Sequence, residues 1–208
     1  MEAALQHERT RACLALPSAE RLLRVVEAVR HGASFAEGGG LRLPHLPFDP
    51  LALLQELATQ RVAFLVIGGL AGVVHGSPTL TYDLDMCYRC TKANLVRLAR
   101  ALNRVQARPL LAAVGEHHDW NAARLAQHAH FDLTTPVGDF DCPAASPARF
   151  RRVAAQSLAS DLATGSILVI SLAHHIEMKQ RADRPNDRAE LAILRLLQQE
   201  YLQQAGLR

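Results

Sequence analysis

Residues 66–78, with the sequence VIGGLAGVVHGSP, and the Asp-Leu-Asp of residues 83–85 decide how this chain folds. An apolar run leads into Gly68 and Gly69, and a short helical segment and a turn separate these glycines from the two acids. Because strand side chains alternate between faces, Asp83 and Asp85 are expected on the same face of a sheet. Two carboxylates on a buried face repel and lose hydration unless a cation lies between them. The stretch therefore predicts a divalent-metal site beside a glycine turn that can approach a phosphate.

The whole chain has the composition of a globular protein. Its 208 residues are 49% hydrophobic, which is enough apolar material for a sizeable core. The formal net charge is +3, and a charge of this size tolerates a polyanionic partner without requiring one. The amino-terminal residues lack a signal-peptide pattern, and no apolar run reaches the roughly 18 residues needed to span a bilayer. We expect a cytoplasmic location and no membrane partner.

Of the four cysteines, only Cys87 and Cys90 lie close in sequence, and we expect reduced, structural thiols.

Breaks in the pattern divide the chain into residues 1–48, a helical extension with a Gly/Pro loop, and residues 49–208, a second domain with carboxyl-terminal helices. Hydrophobic periodicity and capping residues predict helices up to residue 36, from residue 50, and over 70–75, 92–102, 121–125, 172–181 and 187–203. They predict strands over 62–67, 84–88, 131–135, 139–142 and 166–170. The fold class that follows is α/β (α+β), a mixed sheet flanked by helices.

Three further motifs accompany the glycines and the Asp-Leu-Asp: residues 134–141 (TTPVGDFD), residues 176–179 (IEMK) and residues 184–187 (RPND). Together these motifs resemble the polymerase-β-like nucleotidyltransferase superfamily, and within it the small bacterial proteins related to AbiEii-type toxins. The resemblance covers about residues 50–200. It implies a nucleotidyltransferase palm, and it makes Asp141 rather than Asp139 the third carboxylate.

The resemblance also implies a reaction and a set of roles. A nucleotidyltransferase moves an NMP from an NTP to a hydroxyl of an acceptor, here an RNA, a protein or a small molecule. Asp83, Asp85 and Asp141 would hold Mg²⁺ or Mn²⁺, and Asp141 could accept the proton of the attacking hydroxyl. The triphosphate would be bound by four further residues: Gly68, Gly69, Ser77 and Lys179. A toxin–antitoxin or defence context is plausible for such a protein.

Two other interpretations stay open. Relatives often carry arginines where this chain has Thr79 and Tyr82, which would suit a catalytically degenerate module that binds a nucleotide or nucleic acid. The third interpretation is an antitoxin-like subunit that acts through a partner protein, with residues 1–48 as the docking segment.

Of the remaining features, Trp120 is expected to be a packing anchor. The histidines at 117, 118, 128 and 130 are expected to be ordinary surface residues.

Overall fold

The computed structural model describes residues 2–30, 48–113, 118–162 and 165–206. Its helices are α1 (Glu2–Leu14), α2 (Ser18–Arg30), α3 (Pro50–Thr59), α4 (Gly68–His75), α5 (Lys92–Arg104), α6 (Ala122–Ala126), α7 (Pro147–Ala154), α8 (Leu172–Ala182) and α9 (Pro185–Gln204). Its strands are β1 (Phe64–Val66), β2 (Asp83–Arg89), β3 (Arg108–Pro109), β4 (Asp132–Thr135), β5 (Gly138–Asp141), β6 (Ala144–Ala145), β7 (Leu158–Leu162) and β8 (Gly165–Val169).

The strands form one mixed sheet in the order β3-β4-β5-β2-β1-β8-β7, with β6 also paired to β2. Strand β2 is antiparallel to β1 and parallel to β5, and β1 is parallel to β8. Hairpins join β4 to β5 and β7 to β8. Helices flank this sheet, which confirms the predicted fold class.

Several helix ends form where the sequence predicted them. The Asp49 side chain accepts a hydrogen bond from the Ala52 backbone at the start of α3, and Thr91 and Ser171 cap α5 and α8 in the same way. Helix α4 ends at Gly76, whose φ of 105° lies in the left-handed region that glycine adopts without strain. Local capping chemistry therefore fixes the lengths of the helices around the sheet.

The core lies on both faces of β1, whose three residues are all buried. This is why the run at residues 62–67 is apolar without alternation. Nearly all of α4 is buried as well, and Leu22 of α2 belongs to the same hydrophobic cluster. A smaller cluster joins Ile176 of α8 to the buried leucines of α9.

Helix α2 also packs against α4, where the Arg21 guanidinium donates to the Val74 carbonyl at 2.7 Å. The division of the chain at residue 48 stays a prediction. The Gly/Pro loop and the predicted end of the first helical region, residues 31–36, lie outside the described residues.

Four elements were not predicted. Helix α7 does carry a signal, because Ser146 caps it and Pro147 occupies its first position. Strand β7 has the sequence LASDL, with Leu158 exposed and Ser160 buried, so its hydrophobic pattern does not alternate as a half-buried strand should. Strands β3 and β6 have only two residues each, too few for any periodicity.

The last helix begins at Pro185, two residues before the predicted start, because proline suits the first helical position. Asp187 sits in the first turn, where its carboxylate accepts from the Arg184 backbone amide at 3.2 Å. Among the described residues, no helix combines the length and the apolar character that a membrane crossing requires.

Candidate active site

Four acids meet on one face of the sheet where β2 and β5 run side by side. In this parallel pair Asp83 is the register partner of Asp139, and Asp85 is the partner of Asp141. Leu84 and Phe140, the residues between them, are buried in the core on the opposite face. Register partners on neighbouring strands project to the same side of a sheet. The structure thus brings the three predicted carboxylates together and adds Asp139 to them.

The cost of this crowding falls on Asp85. Burial, followed by the neighbouring Asp83 and Asp141 carboxylates, raises the pKa of Asp85 to about 6. Burial also raises the pKa of Asp141, with Asp132 and Asp83 acting in the same direction and His130 opposing them. Groups whose charged forms disfavour one another in this way are stabilised by a cation placed between them.

The glycine turn lies directly against Asp85. Gly68 has a φ of +62°, and a Cβ atom built on it would lie 1.7 Å from the Asp85 Oδ2 atom. The Gly69 backbone N–H donates to the Asp85 carboxylate, and the Ile67 amide donates to the Asp85 carbonyl at 3.0 Å. Only a residue without a side chain fits at position 68, so Gly68 is required by the approach of the Asp85 carboxylate.

The Thr81 hydroxyl borders the carboxylates, whereas the Ser77 hydroxyl contacts Thr79. The Thr81 hydroxyl donates to Asp83 Oδ1 at 2.8 Å, and a Cβ on Gly69 would lie 2.5 Å from the same oxygen of Thr81. Sequence reasoning missed Thr81, because a lone threonine two residues before an aspartate has no distinctive pattern. Ser77 is buried and pairs with Thr79, donating to its hydroxyl at 3.1 Å. A phosphate contact by Ser77 stays a prediction.

Lys179 of α8 lies between two carboxylates of α9. Its ammonium is 3.0 Å from Asp187 Oδ1 and 2.6 Å from Glu190 Oε2. Burial lowers the pKa of Lys179, but the hydrogen bonds to Glu190 and Asp187 outweigh burial and leave the pKa raised. The ammonium also acts on Asp85, where its charge lowers the carboxyl pKa. Lys179 is therefore a permanently charged group near the site, and its predicted role toward the triphosphate stays a prediction.

A buried histidine lies behind this cluster. His175 is fully buried, and its Nε2 atom is 3.8 Å from Glu190 Oε1. Burial, then the charge of Lys179, lowers the pKa of His175 to about 3. His175 is thus neutral in the folded protein.

The β4–β5 turn holds Asp141 in place. The Thr135 hydroxyl donates to the Gly138 carbonyl at 2.7 Å and accepts from the Val137 amide at 3.1 Å. These two bonds close the Thr-Pro-Val-Gly turn and fix the register of the strand that carries the third acid. The predicted hairpin is confirmed.

His130 is exposed, as predicted for a surface histidine, but sequence reasoning missed what it contacts. Its imidazole contacts the Asp141 carboxylate directly, and its Nε2 atom is 3.3 Å from Asp132 Oδ1. His130 and Asp132 alternate just ahead of the hairpin that returns Asp141 beside them. That spacing was the available signal. His117 lies outside the described residues.

The site opens into two adjoining clefts. One of about 470 Å³ is lined by Asp83, Asp139, Asp141 and Thr81, among others. The second, of about 540 Å³, contains Trp120, Arg124 and Phe131, and the two share Leu110 and Asp132. Trp120 is buried and donates to the Ala107 carbonyl at 2.7 Å, which confirms its packing role.

The donor set fits a hard divalent cation. Asp83, Asp85 and Asp141 offer carboxylate oxygens, the ligands that Mg²⁺ and Mn²⁺ prefer. In addition, the buried Asp139 Oδ1 atom has no hydrogen-bond partner among the described residues. Surplus negative charge and an unsatisfied buried oxygen at one place are what a bound cation would relieve.

The Cys87–Cys90 pair is not part of this site. The cysteines at 13, 87, 90 and 142 are all free, and burial raises the pKa of the Cys87 thiol to about 11. Such a thiol stays protonated and is a poor nucleophile.

Comparison with known proteins gives matches to solved structures only; no family model and no curated protein sequence matches the chain. An antigenic nucleotidyltransferase-like protein from Paracoccidioides brasiliensis is 12% identical, with a TM-score of 0.43 over 70% of this chain and 72% of the other. The antibiotic-resistance factor ANT(2'')-Ia in solution is 14% identical, with a TM-score of 0.46 over 73% of this chain and 84% of the other. Its crystal structure in complex with adenylyl-2''-tobramycin gives the same identity and score over 72% and 85%. At these identities and scores neither a family nor an activity follows for this chain.

Proposed function

We propose that this protein is a divalent-metal-dependent nucleotidyltransferase that transfers an NMP from an NTP to a hydroxyl acceptor. The observation that carries the proposal is the register of β2 and β5, which sets Asp83, Asp85 and Asp141 on one face. The glycine turn at Gly68 directly adjoins them. Carboxylates for a metal and a backbone turn for phosphates are the two parts that nucleotidyl transfer needs in one place.

Each residue has a distinct part in this reaction. Asp83, Asp85 and Asp141 would hold Mg²⁺ or Mn²⁺, which supplies charge stabilisation for the attacking and leaving oxygens. Asp141 accepts the proton of the acceptor hydroxyl. The Gly69 backbone N–H, which donates to the Asp85 carboxylate here, would donate to a phosphate oxygen of the bound NTP. Lys179 provides positive charge on the side of Asp85.

The acceptor enters from the second cleft in this proposal. That cleft meets the first at Asp132, which is the register partner of Asp141 on β4. A hydroxyl bound there would lie next to the proposed base. Its lining combines apolar and aromatic side chains with Arg124, whose guanidinium lies 5.3 Å from the centre of the Trp120 ring. Such a lining suits an acceptor with a planar or apolar part and a negative charge, for which an RNA end is one candidate.

Radiolabelled NTP turnover tests this proposal. The parent protein with Mg²⁺ should release pyrophosphate and label itself, an RNA pool or a small hydroxyl compound. Asp83→Asn should lose this activity, whereas Asp161→Asn should keep it, because Asp161 lies on β7 at the other edge of the sheet. Equal turnover by both variants would refute the proposal.

A second candidate is a catalytically silent nucleotide-binding module. It is favoured by the pairing of Lys179 with Asp187 and Glu190, which offsets its charge, and by Thr79 and Tyr82 where arginines would otherwise assist. NTP binding by calorimetry without pyrophosphate release from any acceptor would support this candidate.

The resemblance to AbiEii-type toxins suggests a toxin–antitoxin or defence context, with residues 1–48 as a segment that docks a partner protein. Controlled expression in bacteria tests the context. The parent should arrest growth and Asp83→Asn should not. Arrest by both proteins would separate toxicity from nucleotidyl transfer.

A further inference from the structure

A second group of metal-ligating side chains lies beside the three carboxylates. His130, Asp132 and Asp141 each offer one ligand atom, and these three atoms all lie within 4.8 Å of one another. His130 and Asp132 are neighbours in sequence, and the β4–β5 hairpin brings Asp141 beside them.

The register of the hairpin explains their approach. Asp132 and Asp141 are register partners across the antiparallel β4–β5 pair. The Cys142 amide donates to the Phe131 carbonyl at 2.9 Å, so Phe131 and Cys142, the next pair along the hairpin, are a hydrogen-bonded pair. Asp132 and Asp141 then form a non-hydrogen-bonded pair, in which facing side chains lie closest. His130 precedes Asp132 by two residues and projects to the same side.

The separation of His130 from Asp132 suits two ligands of one small cation, whereas the His130 imidazole contacts the Asp141 carboxylate directly and would have to move apart from it to bind the same ion. The His130 Nε2 and Asp132 Oδ1 atoms are 3.3 Å apart, close to the separation of about 3.4 Å between two ligands at tetrahedral zinc. The side chains of His130 and Asp132 are 53% and 68% exposed, so both have room to adjust and to leave one coordination position open to the cleft. In the first cleft, which Asp132 and Asp141 line, the buried Asp139 Oδ1 atom has no hydrogen-bond partner among the described residues.

We propose that His130, Asp132 and Asp141 form a transition-metal site for Zn²⁺, Mn²⁺ or a similar ion, with an open position facing the cleft. The imidazole nitrogen decides this class of ion, because Mg²⁺ and Ca²⁺ take oxygen ligands whereas imidazole suits first-row transition metals. Three protein ligands with one free position are the pattern of zinc sites that bind an exchangeable group. This site shares Asp141 with the three carboxylates of the proposed function, but its other two donors, His130 and Asp132, lie outside that set, and metal binding by them does not require nucleotidyl transfer.

Titration of the metal-free protein with Co²⁺, followed by visible absorption, and with Zn²⁺, followed by calorimetry, tests the site. We expect the parent to bind one equivalent that depends on His130 and Asp132. His130→Ala and Asp132→Asn should each weaken binding at least about tenfold through loss of a ligand. His128→Ala is the matched control and should bind like the parent. His128 lines the second cleft, as His130 does, but its ring contacts the Phe131 ring and not the two carboxylates. Thermal unfolding of each variant verifies that the fold is kept.

Three results would overturn the site: no binding by the parent, equal binding by the parent and His130→Ala, or an equal loss in His128→Ala. Displacement of Co²⁺ by an equal concentration of Mg²⁺ would also contradict the proposed class of ion. Asp83→Asn serves to separate the two proposals, since it should lose NTP turnover and keep Co²⁺ binding. Intact Co²⁺ binding in a protein that turns over no NTP would remove the proposed function and leave this site standing.

Discussion

Asp85 and Asp141 are direct register partners on adjacent parallel strands, and the Gly68 backbone lies against the Asp85 carboxylate. Two acids at the same height on neighbouring strands cannot both ionise freely once buried. The raised pKa values of Asp85 and Asp141 are the consequence. This part of the sheet is therefore suited to bind a cation. In the metal-free protein, the crowded carboxylates lower the free energy of unfolding.

The first prediction is that Asp85→Asn stabilises the metal-free protein. The folded pKa of about 6 lies above the ordinary value of 3.8, so the unfavourable charge develops as the pH rises from 4 to 7. At pH 7 in EDTA the variant should exceed the parent in free energy of unfolding by up to about 3 kcal/mol. Near pH 4 the difference should vanish. Chemical denaturation of both proteins across this pH range measures the difference.

Mg²⁺ provides the control for that experiment. It should stabilise the parent more than Asp85→Asn, because the variant lacks one ligand charge. The prediction is contradicted if the variant is less stable than the parent in EDTA at pH 7. In that case, loss of the hydrogen bond from the Gly69 backbone N–H would outweigh the relief of repulsion between the carboxylates.

The second prediction concerns Gly68→Ala. The added Cβ would lie 1.7 Å from Asp85 Oδ2, so the carboxylate or the turn has to move. We expect a loss of more than about 2 kcal/mol in the free energy of unfolding, together with loss of NTP turnover. Gly165→Ala is the control, because Gly165 also has a positive φ, +123°, but a Cβ there meets nothing within 4 Å. Equal losses in the two variants would attribute the effect to backbone strain alone.

The individual strands and turns of the site could be predicted from the sequence better than the contacts between them. Alternation, capping and the glycine turn are local properties, so the strand with Asp83 and Asp85, the turn at Gly76 and the hairpin before Asp141 could all be predicted. The resemblance supplied the choice of Asp141. The contact between His130 and Asp141 depends on strand register across a hairpin, which periodicity does not define. Short or irregular strands such as β7 were missed for the same reason, since their pairing and not their pattern makes them strands.

The third prediction tests Lys179. Lys179→Ala should weaken NTP binding or slow turnover by about tenfold to a thousandfold, and Lys179→Glu should be worse because it adds charge beside the carboxylates. Both variants remove the closest cation of Asp187 and Glu190, so they should also lose about 1–3 kcal/mol of stability.

Arg181→Ala is the control for that pair of variants. Arg181 belongs to the same helix, its side chain is 78% exposed, and its nearest acid is 4.0 Å away. It should affect neither binding nor stability. Steady-state kinetics and thermal unfolding separate the two effects, and a variant of Lys179 that loses stability but binds NTP normally would make the residue purely structural.

The fourth prediction is an acid sensitivity that originates from His175. Its pKa is about 3 when folded and near 6.5 when unfolded, so the unfolded chain takes up the proton first as the pH falls. The stability that neutral His175 provides is complete above pH 6.5 and is lost between pH 6.5 and 3. His175→Gln should flatten the dependence of the unfolding free energy on pH by up to about 1.4 kcal/mol per unit in that range. An unchanged slope in the variant would assign the acid sensitivity to other groups, of which His75 is the first to examine because burial lowers its pKa too.

The last prediction separates Asp141 from Asp139, which alternate on β5 and share a face. Asp141 is the partner of the crowded Asp85, whereas Asp139 is the partner of Asp83, closer to the start of β2. If Asp141 is the third carboxylate and the proton acceptor, Asp141→Asn should reduce turnover by at least about a hundredfold even at saturating Mg²⁺. Asp139→Asn removes the same charge from the same strand but neither role, so turnover should fall less than about tenfold. Single-turnover kinetics with each variant over a Mg²⁺ titration makes the comparison, because a ligand defect recovers with added metal and a lost base does not. The reverse ranking of the two variants would show that Asp139 is the third carboxylate and that the resemblance misplaced the role by two residues.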